Sequence, residues 1–135
     1  MKRTLVDAGV LIAAARGQGS LAERALAILE DSGREFAASG FVRLEVLPKA
    51  IYHGNQKEAK FYREFFTTIV DHWAHDVDGL LRDAYIIAGE VGLAAMDALH
   101  VAAAAALNCD ELITTEKPGR PIYRNRSVRV VFLGR

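Results

Sequence analysis

The chain has 135 residues, of which 51% are hydrophobic and 25% charged, and its 17 basic and 17 acidic side chains leave a formal net charge of zero. That length and balance describe one globular domain over residues 1–135, long enough to bury a core without disulfides or a structural metal. The single cysteine, Cys109, excludes an internal disulfide framework and fits a reducing compartment.

Lys2-Arg3, the apolar stretch after them and Ala13-Ala14-Ala15 imitate a secretory signal, but Asp7 interrupts the apolar region and argues against secretion. No uncharged apolar segment approaches the ~18 residues needed to cross a membrane. The expectation is a cytoplasmic protein with no membrane partner.

In chain order, Thr4-Leu5-Val6 reads as a short buried strand. Residues 8–16 read as a helix ended near Gly17. Ser20-Leu21-Ala22-Glu23 has the form of a capping box, opening a helix that runs to about Ser32 with Gly33 as its C-cap. Glu35-Phe36-Ala37-Ala38 is a second strand, and Ser39 an N-cap for the helix that carries Glu45. Pro48 should kink or interrupt that helix.

Gly54-Asn55 marks a turn, and residues 57–70 form an amphipathic pattern with Phe61, Phe65 and Ile69 in one row. A weakly signalled strand lies near residues 72–74. Leu80, Ala84, Ile87 and Val91 keep helical spacing up to Gly92, and the alanine-rich segment 95–107 reads as a buried helix. Leu112-Ile113-Thr114 and residues 128–132 are the last strands. Strands alternating with helices predict an α/β fold, a three-layer α/β/α sandwich around a central parallel sheet.

Four acids stand beside or within apolar segments: Asp7 after the first strand, Glu45 and Asp97 on helices, Glu116 after Leu112-Ile113-Thr114-Thr115. Carboxylates beside apolar segments are costly to desolvate unless something pairs with them. If the four converge, a divalent cation is the natural partner, because hard cations take oxygen ligands. In open parallel sheets such sites form beyond the carboxyl ends of the strands, where Asp7 and Glu116 fall.

Each residue also has a plainer reading. Asp7 and Asp97 fit helix N-caps, and Glu45 fits a solvated helix position. His100, one turn after Asp97, fits a packed core histidine. His53, His72 and His75 show no metal-ligand spacing, and Cys109 has no catalytic partner nearby in sequence. Trp73, Phe61, Phe65 and Phe66 read as core or dimer contacts.

Charge is unevenly spread. Residues after Glu116 contain Lys117, Arg120, Arg124, Arg126, Arg129 and Arg135 and no acid, so the remainder carries the opposite excess. Such asymmetry marks either a nucleic-acid flank or a charge-protected edge strand.

The early Val6-Asp7, the spacing from Ser39 to Glu45, the run Asp97-Ala98-Leu99-His100-Val101-Ala102 and Leu112-Ile113-Thr114-Thr115-Glu116 together resemble a PIN domain, the nuclease domain of VapC-like toxin ribonucleases. The resemblance covers essentially the whole chain. It implies a Mg²⁺- or Mn²⁺-dependent endoribonuclease, the toxin half of a type II toxin–antitoxin pair. Asp7, Glu45 and Asp97 would be its central acids. Glu116 would take a fourth position where the family more often has Asp, with Thr114, Ser39 and His100 in support.

The resemblance further implies an RNA substrate cut by metal-activated water to leave a 5′-phosphate, a cognate antitoxin that blocks the acidic groove, and a homodimer. Arg124, Arg126 and Arg129 would hold RNA phosphates. The competing readings are a catalytically inactive PIN-like module that binds RNA or protein, and a phospho-accepting receiver domain. The receiver reading is disfavoured because only one acid follows the first strand. A phosphate-loop enzyme is unsupported because no Gly-rich loop follows that strand.

Overall fold

The computed structural model describes residues 1–134. Five strands and six helices alternate: β1 (Lys2–Val6), α1 (Ala8–Arg16), α2 (Gly19–Leu29), β2 (Arg34–Ser39), α3 (Gly40–Tyr52), α4 (Gln56–Glu64), β3 (Val70–Ala74), α5 (Val77–Val91), α6 (Ala95–Ala106), β4 (Glu111–Thr114) and β5 (Val130–Phe132). The strands form one sheet in the order β3-β2-β1-β4-β5, and every neighbouring pair is parallel. The expected three-layer α/β/α architecture is therefore present.

Strand alternation builds the two cores. Val6, Phe36, Ala38 and Ile113 face α1 to α4, where they pack with Val10, Leu11, Val42, Val46, Tyr62 and Phe65. Their sequence neighbours Leu5, Ala37 and Leu112 point the other way, onto α5 and α6. Central strands buried on both faces favour consecutive apolar residues, as in Leu5-Val6 and Leu112-Ile113, and the buried polar residues Thr4, Glu111 and Thr114 are each hydrogen-bonded. Ala102, Ala103 and Ala104 are fully buried in α6, and such short side chains let a helix backbone lie close to the sheet.

The strand order sets the site. The chain starts in the middle of the sheet, builds β2 and β3 on one side, then crosses to β4 and β5 on the other. The reversal falls between β1 and β4, and a crevice opens at their carboxyl ends.

Three sequence expectations are corrected. The Ser20–Glu23 capping box does not form: α2 starts at Gly19, its N-cap Gln18 makes no side-chain capping bond, and the helix stops at Leu29 with Glu30 as C-cap. Asp31 intervenes before Gly33. Its Oδ1 accepts the Gly33 N–H at 2.8 Å and its Oδ2 holds Arg34 at 2.7 Å, a local turn that competes with the helix.

Pro48 neither breaks nor ends α3. Pro48 and Leu44, whose carbonyl loses its partner, both lie on the exposed face, where water can satisfy the freed group. Residues 57–70 are not one helix: α4 ends at Glu64, a π-helical turn spans Phe65–Ile69 and β3 begins at Val70. The wider turn lets consecutive Phe65 and Phe66 both enter the core, 1% and 4% exposed. Phe66 packs on Trp73 with ring centroids 5.9 Å apart, so this aromatic group is core.

Among the described residues no single helix is long and apolar enough to cross a membrane. Burial pushes the Cys109 thiol up to about 12, which leaves it without thiolate character at neutral pH.

Candidate active site

Asp7 follows β1 directly and begins α1. Its Oδ1 accepts the Val10 N–H at 3.1 Å and its Oδ2 accepts the Thr114 hydroxyl at 2.5 Å. The capping reading and the site reading of Asp7 thus hold together. Burial raises its pKa and the Glu45 charge adds to the rise, against the opposing effects of Thr114, the Val10 N–H and His100. The turn after β4 packs closely here, since a side chain on Gly9 would collide with Thr115 Oγ1.

Glu45 sits in the second turn of α3, on the side turned toward α6. Its Oε1 lies 2.6 Å from His100 Nε2. Asp97 is in the first turn of α6, whose N-cap is Ala94 with no side-chain capping bond. Asp97 therefore caps nothing, and its position in the first turn favours a negative charge through the helix dipole. Burial nevertheless raises its pKa, followed by the charge of Glu116; Asp7 and Glu45 push the same way and His100 opposes them.

Glu116 lies on the turn after β4, where its backbone N–H donates to Thr114 Oγ1 at 3.0 Å and its carboxylate lies 3.5 Å from Arg120 Nε. Mutual influence of this kind requires proximity. Asp7, Glu45, Asp97 and Glu116 form one cluster, drawn from four elements spread over the whole sequence.

The other expected residues divide. Thr114 and His100 are in the cluster. Ser39 is buried at the carboxyl end of β2 and caps α3 by accepting the Phe41 N–H at 3.2 Å; no bond joins it to the acids. Arg124 reaches the Val91 carbonyl at the end of α5 at 3.4 Å. Arg126 lines the same depression, beside Glu90, and Arg129 is exposed.

Two residues escaped the sequence reading. Tyr123 donates its hydroxyl to the Glu116 carbonyl at 2.5 Å, and burial, with the charges of Asp7 and Glu116, raises its pKa. Arg120 is the basic residue that touches an acid of the cluster. Only the path of the turn between β4 and the short 3₁₀ segment Pro121–Arg124 could have revealed either.

The donor set consists of oxygen atoms on anionic groups, which fits a hard divalent ion. Burial plus like-charge neighbours leaves Asp7 and Asp97 harder to ionise without a cation. Among the described residues, however, no three His, Cys, Asp or Glu side chains close around a common point at ligand distance. The cluster has the chemistry of a metal site with its carboxylates still apart.

Thr114 is the joint of this arrangement, giving its proton to Asp7 and accepting the Glu116 N–H. Thr114→Val removes both partners at once in a buried place. Leaving a buried group unpaired costs about 2 kcal/mol, so urea denaturation should show a loss of about that size. A loss below about 0.5 kcal/mol would contradict this role.

The fold and the family are independently recognisable. The chain is similar to a toxin–antitoxin complex structure from Klebsiella pneumoniae, with a TM-score of 0.72, 20% identity, and coverage of 97% of this chain and 98% of that one. It is also similar to DNA-bound VapBC from Salmonella typhimurium, with a TM-score of 0.72, 13% identity, and coverage of 99% and 100%. VapBC2 from Rickettsia felis, bound to a promoter DNA fragment, has a TM-score of 0.71, 12% identity, and coverage of 96% and 98%. At these identities the likeness establishes the shared fold. No curated protein sequence matches the chain. The PIN domain family matches residues 4–117, a span that holds all four clustered acids, and the chain belongs to that family.

Proposed function

We propose that this protein is a metal-dependent endoribonuclease and the toxin component of a toxin–antitoxin pair. The observation that supports the reading is that Asp7, Glu45, Asp97 and Glu116 lie near enough for their charges to interact, with Asp7 and Asp97 made harder to ionise by burial and by neighbouring acids. Mg²⁺ or Mn²⁺ held by these carboxylates would supply charge neutralisation at the phosphate and a water acidic enough to attack it.

The protein's own part is positioning. Thr114 and the Val10 N–H hold Asp7 in a fixed rotamer. His100 holds Glu45 on the other side, and the turn anchored by Tyr123 presents Glu116. Asp97 enters from the start of α6. No side chain needs to act as a covalent nucleophile; the family resemblance implies a water that displaces the 3′ oxygen, which would leave a 5′-phosphate and a 3′-hydroxyl.

The test uses purified protein, total RNA and added Mn²⁺, with new 5′-phosphate ends mapped by sequencing. Ends that vanish with chelator are the expected result. A second reading, a PIN-like module that binds RNA or protein without cutting, is favoured by Arg120 standing 3.5 Å from the Glu116 carboxylate. RNA retained on the protein with no new ends, after mass spectrometry has excluded a bound inhibitor, would select it.

The similar structure from Klebsiella pneumoniae is a toxin–antitoxin complex, which supports a cognate antitoxin for this chain. Such a partner would cover the acidic crevice. Failure to reconstitute any complex with the adjacent-gene product would remove that part of the proposal. A homodimer is supported by the exposed apolar stripe Val77, Leu81 and Tyr85 on α5, at 50%, 50% and 84% exposure. Light scattering should return about twice the 14.8 kDa chain mass; a monomer overturns it. These activities and partners fit a cytoplasmic location.

A further inference from the structure

The buried histidine of α6 has one ring nitrogen bonded and the other without a partner. His100 is 3% exposed. Its Nε2 lies 2.6 Å from Glu45 Oε1, and its Nδ1 is buried with no partner. A histidine serving only to fill the core would normally have both ring nitrogens satisfied or be replaced by an apolar residue, because an orphaned buried polar atom is costly.

A ring proton on Nε2 is directed at the Glu45 carboxylate, and the bond is charge-assisted and strong. Its geometry is independent of Asp97. Although His100 follows Asp97 by one turn, its ring bonds to the helix across the crevice and not to its own neighbour.

Glu45 needs such a hold. It is on a long, three-torsion side chain, 29% exposed, and no other hydrogen bond to its carboxylate is present. Asp7, by contrast, is short and doubly bonded. The bond to the imidazole occupies one lone pair of Oε1 and leaves Oε2 without a hydrogen-bond partner among the described residues.

We infer that His100 is a positioning residue that holds the Glu45 carboxylate in one orientation, ready for the divalent cation. This rests on the reading of the acidic cluster as a metal site. The hydrogen-bond partner of a ligating group is worth about 10- to 100-fold in metal affinity, and that is the effect expected here.

The experiment measures Mn²⁺ binding by calorimetry, with circular dichroism melts alongside. His100→Gln can place an amide N–H close to the Nε2 position and should bind within about threefold of wild type. His100→Asn is too short to reach Glu45 and should bind 10- to 100-fold more weakly. In a Glu45→Gln background, His100→Asn should cause no further loss, since the histidine acts through that carboxylate. A purely structural role would lower melting temperatures for both His100 variants and leave Mn²⁺ affinity unmoved.

Equal Mn²⁺ affinity in His100→Asn and wild type overturns the assignment, and so does equal weakening by Gln and Asn, or an additive loss in the Glu45→Gln background. If wild type fails to bind Mn²⁺, or Asp97→Asn binds it as tightly as wild type does, the metal-site reading falls, and this inference falls with it. The Asp97 variant thus tells the two failures apart.

Discussion

Asp97→Asn should abolish RNA cleavage, by at least about 100-fold, while making the protein more heat-stable at neutral pH. On the proposed function, the size follows from losing a negative charge that would help to hold the ion stabilising the transition state. The gain in stability follows from the cost of Asp97 in the folded protein. Burial first, then Glu116, raise its pKa above the ordinary carboxylate value of 3.8.

The direction with pH is fixed by that shift. Between the unfolded value and the raised folded value the native state holds more protons than the unfolded chain, so stability falls as pH rises. The contribution is fully present below about the unfolded value and is lost above the folded one. The neutral asparagine avoids this loss. Its melting-temperature advantage without divalent ions should be largest near pH 7 and shrink on acidification through the carboxylate range. Added Mn²⁺ should reverse the order, because ligand binding stabilises the wild type alone. Cleavage within tenfold of wild type, or an advantage that grows toward acid, would count against the assignment of Asp97.

The second large effect lies at the opposite end of the sheet. Glu111 on β4 is 2% exposed. Its Oε2 accepts from Arg34 Nε at 3.0 Å and from the Thr4 hydroxyl at 2.7 Å, while Lys2 Nζ stands 3.7 Å from Oε1. These residues come from the starts of three adjacent strands, so the ion pair ties β2, β1 and β4 together at their amino ends. Arg34→Met would leave a buried carboxylate short of its main partner.

Removing one member of a buried ion pair costs about 3–5 kcal/mol, much more than the pair contributes against an apolar replacement. Arg34→Met should therefore lower the melting temperature by about 10 °C or more, with cleavage at low temperature unchanged because the site is at the other end of the strands. Adding Glu111→Gln should recover at least half of the loss, since the amide still accepts from Thr4 without a charge. A single-variant loss under about 1 kcal/mol in urea denaturation would refute the account.

Much of the fold was legible in the residues because local chemistry and burial agree there. Gly17 and Gly92 end α1 and α5 in the left-handed conformation that glycine adopts without strain, and apolar runs on β1 and β4 mark strands buried on both faces. The errors arose where a local signal had a competitor. Ser20 and Glu23 make a plausible start signal, but Asp31 supplied a different stop. Pro48 takes one hydrogen bond from α3, and the helix continues with Leu44 and Pro48 on its exposed face, a placement that tertiary packing sets.

By itself, the sequence determined the α/β alternation, the family resemblance and the identity of the four acids, because these depend on spacing along the chain and on which residue types an apolar segment tolerates. Only the tertiary structure decided that the site opens between β1 and β4, that Thr114 bonds to Asp7, that His100 bonds to Glu45 instead of Asp97, and that Tyr123 and Arg120 stand beside Glu116. Each of those pairs except the last joins elements far apart in the chain. Strand order and helix packing set such separations, and hydrogen bonds and charge coupling depend on distances of a few ångströms that residue spacing does not encode.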